Sequence, residues 1–207
     1  MRLLFGLLAA ALLVPAIARA QAAARPAETR RYAIEVAGLR VGTMTATRQP
    51  QTATAAAVLT LTSDVKVSFL FYRLKIYYKV VNQVRDGQLL LSTVEAHTNQ
   101  GDFASRTEWK TDHYDIVADQ YKHHYRATEK QPITYTVTDM FFGEPGRQQP
   151  RAFAEYFGDF FSVGQVKPGQ YAARRDGRED EYQYANGQLV TIIKKNPLKN
   201  FIIRWLP

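Results

Sequence analysis

The sequence predicts an all-β protein whose strands form one antiparallel sheet. Apolar residues recur at every second position through most of the chain, which is the period of a half-buried strand. Valine, isoleucine, threonine, tyrosine and phenylalanine dominate these stretches, and turn-forming residues interrupt them at short intervals. No helical patterns of ten residues alternate with the strands, which argues against a parallel sheet. We therefore expect about 11–13 strands in a largely meander sheet, curved into a half-barrel or a barrel.

The individual strands follow from the alternation and from the turns between them. Residues 32–36, 39–48 and 58–64 are the first three predicted strands, with a turn at 37–38. Asp86-Gly87 separates strands at 77–84 and 89–94, and Asn186-Gly187 separates strands at 181–185 and 189–193. Both dipeptides tolerate the positive φ angles of a type I′ turn, so each predicts a two-residue hairpin. Further strands are expected at 103–110, 114–117, 121–128, 133–137, 170–175 and 201–205.

Two segments depart from this simple pattern. Residues 65–81 fit a helical stripe, but they also contain two alternating apolar sets of opposite parity. Their β-branched and aromatic content favours a strand with a bend or bulge near residues 70–72. Residues 150–161 begin with a proline and carry Phe153, Phe157 and either Phe160 or Phe161 at helical spacing, so one short helix is expected there.

The first twenty residues have the features of a secretory signal peptide. Arg2 precedes an apolar run at 3–17, and Ala18-Arg19-Ala20 supplies small residues for cleavage. The run is shorter than the ~20 residues that span a bilayer. We therefore expect residues 1–20 to be removed and residues 21–207 to form a single β-rich domain. The expected location is the periplasm of a Gram-negative bacterium, where a chain without cysteine folds without disulfides.

The charge balance of the chain is basic. Lysine and arginine number 27 against 19 aspartates and glutamates, a formal net charge of +8. Such a surface favours anionic lipid headgroups or other polyanions, although solvated outer faces of strands account for the same excess. Nucleic acid is not an expected partner of an exported protein. The charge instead suggests contact between a basic face and a membrane surface.

Several turn and packing motifs follow one another along the chain. They are Tyr-x-Ile-x-Val-x-Gly-x-x-x-Gly at 32–42, Asp-Gly at 86–87, Ile-Thr-Tyr-Thr-Val at 133–137, Met-Phe-Phe-Gly-Glu-Pro at 140–145, Ala-Glu-Tyr-Phe-Gly at 154–158 and Tyr-x-Tyr-x-Asn-Gly at 182–187. In this order the motifs resemble those of a family of exported bacterial proteins classed only as a domain of unknown function. They span most of residues 21–207. The resemblance implies an exported β-rich domain and no particular reaction.

Residues that could carry chemistry are few, so the sequence favours a protein that is not an enzyme. Glu144 and Glu155 lie among aromatic residues, where a partly buried carboxylate could be functional or could serve structure alone. As a pair they are the candidates for a hydrolase of envelope polymers, the least favoured function. His123 and His124 are adjacent on a predicted strand and point to opposite faces, so they cannot share a metal. No metal, cofactor or catalytic residue is predicted.

The aromatic side chains are the stronger indication of function. A curved sheet lined by aromatic rings could hold an acyl chain or another apolar molecule, although the same rings could simply fill the core. The sequence therefore predicts a non-catalytic binding or carrier module for an apolar or amphipathic ligand such as a lipid. The alternative is a structural or interaction protein of the cell envelope that binds another envelope protein. The ligand-binding candidates are Phe69, Phe71, Tyr121, His123, Tyr125, Tyr182 and Tyr184.

Overall fold

The computed structural model describes residues 26–69, 72–195 and 200–207, with the backbone alone for residues 67–69 and 72–74. The predicted signal peptide lies outside these ranges. Fourteen strands are present: β1 Glu28–Val36, β2 Leu39–Gln49, β3 Ala57–Phe69, β4 Tyr72–Arg85, β5 Gln88–Thr98, β6 Gly101–Trp109, β7 Tyr114–Gln120, β8 His123–Glu129, β9 Arg151–Ala154, β10 Asp159–Lys167, β11 Gln170–Arg175, β12 Arg178–Ala185, β13 Gln188–Lys194 and β14 Phe201–Leu206.

All fourteen strands belong to one antiparallel sheet, as the alternation predicts. The order across the sheet is β8-β7-β6-β5-β4-β3-β2-β1-β14-β13-β12-β11-β10-β9. Every neighbouring pair except β1 with β14 is also consecutive in sequence, so the sheet consists of two meanders joined through β1 and β14. The ends of the order, β8 and β9, do not pair with each other. The sheet is therefore open, and the alternative of a closed barrel is wrong.

The two edges of the sheet overlap instead of pairing. Three consecutive residues of β9, Ala152, Phe153 and Ala154, are all at most 4% exposed, so both faces of this edge strand are covered. Phe153 packs in a cluster with residues of β5 and β7, whereas its two alanine neighbours belong to the main core. The β9 edge therefore lies inside the curve of the sheet, with β5–β8 passing over it.

The chain between β8 and β9 fills the interior of the curved sheet. We call residues 133–145 the plug. An isolated parallel bridge joins Thr136 to Phe153, and a single 3₁₀ turn follows at Asp139–Phe141. Met140 and Phe141 are 0% and 3% exposed within the main core. The prediction of a sheet strand at 133–137 is therefore wrong, because this segment forms one bridge and then turns into the core.

The two dipeptide turns are confirmed. Asp86 and Gly87 have φ angles of 52° and 79°, and Asn186 and Gly187 have φ angles of 52° and 75°. Both pairs adopt the left-handed conformation that a type I′ hairpin requires.

The bent strand predicted at 65–81 is wrong, because the chain reverses there. β3 ends at Phe69, β4 begins at Tyr72, and these two residues are antiparallel partners. In such a hairpin, directly opposed residues share a face, so residues of opposite parity meet on the same side. The two apolar sets of opposite parity are thus the two strands of one hairpin. Leu70 and Phe71, between them, lie outside the described residues.

The helix predicted at 150–161 is also wrong. This stretch forms β9, a turn at 155–158 and the start of β10. Burial of β9 on both faces removes the polar alternation by which a strand is recognised. Gly158 has a φ of 68°, which no α-helix continues through. None of the elements described is a helix long and apolar enough to cross a membrane.

Candidate functional site

Two of the tyrosines predicted to bind a ligand face the interior of the curved sheet. Tyr182 is fully buried, and the Tyr184 hydroxyl donates a hydrogen bond to the Met140 backbone oxygen at 2.8 Å. The Tyr184 ring also lies edge-on to the Tyr171 ring, with centroids 5.7 Å apart. Both predicted residues are thus part of the core that holds the plug.

Three further candidates lie near β8. The rings of His123 and Tyr125 stack with centroids 5.9 Å apart, and His123 Nε2 lies 3.0 Å from the Phe157 backbone oxygen. These two residues therefore cover the turn between β9 and β10. Tyr121 belongs to the turn before β8, is 44% exposed and contacts the Phe103 ring at 6.0 Å between centroids.

The remaining candidates, Phe69 and Phe71, belong to the connection between β3 and β4. Phe69 is the last residue of β3 and is described by its backbone alone, and Phe71 lies outside the described residues. The five candidates with described side chains occupy three places: the core, the covered edge and an exposed turn. The structure does not gather these five on one concave surface.

The start of the plug is held by the hydroxyl of Tyr114. This hydroxyl donates to the Leu89 backbone oxygen at 2.7 Å and accepts from the Ile133 backbone N–H at 3.1 Å. The Ile133 backbone oxygen in turn accepts from the Leu89 N–H at 2.8 Å. One buried side chain therefore joins β5, β7 and the plug.

The far end of the plug is held by an arginine and a tyrosine of β1 and by an arginine of β2. Arg30 Nη1 donates to the Phe141 backbone oxygen at 2.8 Å, and the Tyr32 ring lies edge-on to the Phe141 ring at 5.5 Å. The Arg48 guanidinium lies 4.8 Å from the centre of the Phe142 ring. Such contacts are favourable for both the charge and the ring face.

Between these two ends lies a polar cluster that we define as Asn82, Thr136, Thr138, Asp139 and Glu155, in which Asp139 is half-buried and the other four are buried. Glu155 is 3% exposed, and its Oε1 accepts from Asn82 Nδ2 at 2.7 Å and from the Thr138 N–H at 3.1 Å. Asp139 Oδ2 accepts from both the N–H and the hydroxyl of Thr136, at 2.8 and 2.7 Å. A buried carboxylate needs such hydrogen bonds to offset the loss of hydration.

Burial governs the electrostatics of this cluster. It raises the pKa of Asp139 from 3.8 to about 6, against the opposing effect of the two hydrogen bonds from Thr136. Burial, and then the Glu155 carboxylate, raise the pKa of Tyr78 well above its usual value. The pKa of Tyr182 is raised by burial and by the charges of Asp180 and Glu155. Glu155 thus contributes, after burial, to the raised pKa of two buried tyrosines, Tyr78 and Tyr182.

Several polar atoms in or near the polar cluster have no hydrogen-bond partner among the described residues. They are Asn82 Oδ1, Thr138 Oγ1 and the hydroxyls of Tyr135 and Tyr182. Unsatisfied buried groups destabilise a fold unless ordered water bridges them. The polar cluster thus contains well-formed hydrogen bonds to its two carboxylates, together with nearby buried polar atoms that lack a hydrogen-bond partner.

Glu144, the other predicted carboxylate, makes a separate contact. Its Oε1 accepts from the Tyr171 hydroxyl at 2.8 Å, and burial together with this bond raises the pKa of Tyr171 to about 12. Glu144 and Glu155 share no hydrogen-bond partner in the described chain. Glu155 also lies beneath the plug, where a polymer could not reach it.

Several other ionisable groups form surface ion pairs. His97 contacts Asp102 and Glu95 at 2.8 Å each, and these carboxylates raise its pKa. Glu179 and Glu181 both pair with Lys195, which follows β13, and Glu179 also pairs with Arg174 of β11. Within the ranges that the structure covers, no group of three or more histidine, aspartate or glutamate side chains has the arrangement of a metal site.

A comparison with protein-family models matches residues 32–205 to the family described as domain of unknown function (DUF6134). The chain belongs to this family. The matched range includes the plug and every member of the polar cluster. No curated protein and no solved structure matches the chain.

Sequence reasoning found one member of the polar cluster, Glu155, and missed the other four. Asn82 carried a usable signal, because it interrupts the alternating apolar residues Tyr78, Val80 and Val84 of β4. Thr136 and Asp139 are three residues apart, a spacing at which a side chain can bond the local backbone. Neither signal shows that these residues meet Glu155, since that contact arises from the folding of the plug.

Proposed function

We propose that this protein is an exported, non-catalytic interaction module of the bacterial cell envelope, located in the periplasm, and that it works through its outer surface. The observation that carries the proposal is the plug. Met140, Phe141 and Phe142 are at most 6% exposed and occupy the concave side of the sheet. Because the protein's own chain fills its interior, a partner would bind on the outer surface.

The carrier function is the second candidate, and the same observation ranks it lower. A lipid bound against Tyr182 and Tyr184 would have to displace the plug, exposing two phenylalanines and a methionine to water. Burying each such side chain is worth about 1.5–3 kcal/mol, so displacement would cost several kcal/mol before any ligand contact formed. The buried hydroxyls that lack a hydrogen-bond partner among the described residues are the feature that favours binding of a polar group near the polar cluster.

A non-catalytic role is supported by the state of the carboxylates. Glu155 is buried and hydrogen-bonded, and Glu144 is bound to Tyr171. A general acid or base must be within hydrogen-bond reach of its substrate. Glu155 is withdrawn from solvent, and one carboxylate oxygen of the half-buried Glu144 is already bound by Tyr171.

The test measures whether the plug opens. The chain has no cysteine, so a single Met140→Cys substitution gives a unique thiol in the plug. Ile192→Cys, which is equally buried in β13, is the matched control, and the exposed Ser162→Cys reports unhindered reaction with a maleimide. Folding of each variant is checked by its urea unfolding midpoint.

For a permanently filled interior, Met140→Cys and Ile192→Cys react at similar rates, both on the order of a thousandfold slower than Ser162→Cys. Selective labelling of Met140→Cys, at least tenfold faster than Ile192→Cys and altered by added phospholipid, would replace the proposal with the carrier function. Cell fractionation tests export separately: a protein found only in the cytoplasm would contradict an envelope role.

A further inference from the structure

The hairpin of β3 and β4 extends beyond the strands on either side of it. These are the two longest strands, of 13 and 14 residues. The register of β2 with β3 ends at the Gly42–Val65 pair, and that of β4 with β5 ends at the Ile76–Thr98 pair. Residues 66–69 and 72–75 therefore pair in register only with each other. We call these eight residues the ribbon.

The register divides the ribbon into two faces. Val67 pairs with Leu74 and Phe69 pairs with Tyr72, and these positions continue the side of the sheet on which Val65 is buried. The opposite face contains the remaining cross-strand pairs, Lys66–Lys75 and Ser68–Arg73. One face thus has four apolar or aromatic residues, and the other has three cations. At the base of the ribbon the Lys75 backbone N–H donates to Asn99 Oδ1 at 2.6 Å, and beyond it the registers of β2 and β5 have ended.

The cationic face has an unbalanced charge. Lys66 and Lys75 are directly opposed and exposed, and like charges at opposed positions destabilise a sheet. Lys66 reaches Asp64 at 3.4 Å, a contact between two exposed side chains. No aspartate or glutamate occurs between residues 65 and 76. An anionic partner would therefore weaken the electrostatic repulsion between Lys66 and Lys75, which persists in the folded protein.

We propose that the ribbon docks on an anionic lipid bilayer. This deepens the proposed function by naming the partner of the outer surface, and it rests on that function. Apolar and aromatic residues next to lysine and arginine are the composition of segments that lie in the headgroup region. Four residues per strand give a projection of about 13 Å, which exceeds the ~5–10 Å to which interfacial segments are buried. The apolar face enters the headgroup boundary, and Lys66, Arg73 and Lys75 contact lipid phosphates.

The experiment is flotation of the purified protein with vesicles of phosphatidylglycerol and phosphatidylcholine in equal amounts, and with vesicles of phosphatidylcholine alone. We expect binding to the anionic vesicles that weakens as salt is raised. Each lysine near an anionic surface strengthens binding about fivefold, so Lys66→Gln/Lys75→Gln lowers vesicle affinity roughly 25-fold. Phe69→Ser reduces binding by removing an apolar residue of the ribbon.

The matched control is Lys130→Gln/Lys167→Gln, which removes two exposed lysines away from the ribbon and leaves affinity within twofold. Equal losses in both double variants would mean diffuse charge attraction and would overturn the proposal. Absence of vesicle binding would also overturn the proposal. This includes the outcome in which the wild type binds no vesicles and is a dimer that Phe69→Ser makes monomeric. Failure here leaves the plug-labelling result unaffected, so the two proposals fail separately.

Discussion

Asp139 should make the stability of this protein depend on pH in a direction opposite to most carboxylates. Its pKa is 3.8 in an unfolded chain and about 6 in the fold, because burial disfavours the charged form. The folded state therefore holds its proton more tightly. The resulting stabilisation is present below pH 4 and is lost as pH rises to about 6. A difference of about two pKa units corresponds to at most about 3 kcal/mol of unfolding free energy.

The perturbation that isolates this effect is Asp139→Asn. The asparagine oxygen can accept the same hydrogen bonds from Thr136 without carrying a charge. At pH 4 the variant and the wild type should be about equally stable. At pH 8 the variant should be more stable by at most about 3 kcal/mol, because only the wild type retains a charge at this half-buried position.

Urea unfolding of both proteins at pH 4, 5, 6, 7 and 8 measures the difference directly, and the comparison cancels the titration of all other groups. Asp86→Asn, in the exposed hairpin turn, is the matched control and should show no such pH-dependent gain. A variant that is less stable than the wild type at pH 8, or a difference that does not change with pH, would refute the electrostatic reasoning.

Two further substitutions test how the plug and the covered edge are held. Tyr114→Phe removes the hydroxyl that joins the plug to the sheet and should lower the unfolding free energy by about 1–3 kcal/mol. The control, Tyr121→Phe in the exposed turn, should change the unfolding free energy by less than about 0.5 kcal/mol. Equal values for the two variants would show that the Tyr114 hydroxyl contributes nothing. Gly158→Ala places a methyl group 2.6 Å from an Ile116 carbon at a positive φ, so it should cost more than about 2 kcal/mol in thermal or urea unfolding. Gly143→Ala, with open space around it, is the control, and a tolerated Gly158→Ala would contradict the overlap of the two edges.

The confirmed predictions rest on local signals. Asn186-Gly187 forms its hairpin because two residues suffice to define the turn, and alternation along β7 buries Tyr114, Ile116 and Ala118 on one face. The hairpin at 69–72 was missed because no glycine, proline, asparagine or aspartate marks it. The opposite parity of its two apolar sets was the available signal, and it was interpreted as a bulge.

The candidate site was predicted only in part, for a physical reason. Glu155 stood out as a carboxylate among aromatic residues, but an isolated carboxylate does not show which groups will surround it. Tyr182 and Tyr184 were expected to face inward, as they do. Whether inward tyrosines line a cavity or pack against protein depends on a segment from elsewhere in the chain, since both arrangements need the same alternation.

By itself the sequence determined the all-β class, the antiparallel order of consecutive strands and the two dipeptide turns, because alternation and turn chemistry act over a few residues. Only the tertiary structure decided that the sheet stays open with overlapping edges, that the plug fills its interior and that Glu155 meets Asn82 across 73 positions of sequence. These features depend on contacts between distant segments. The free energy of such a contact comes from burial that both segments share, so no single stretch of the sequence predicts it.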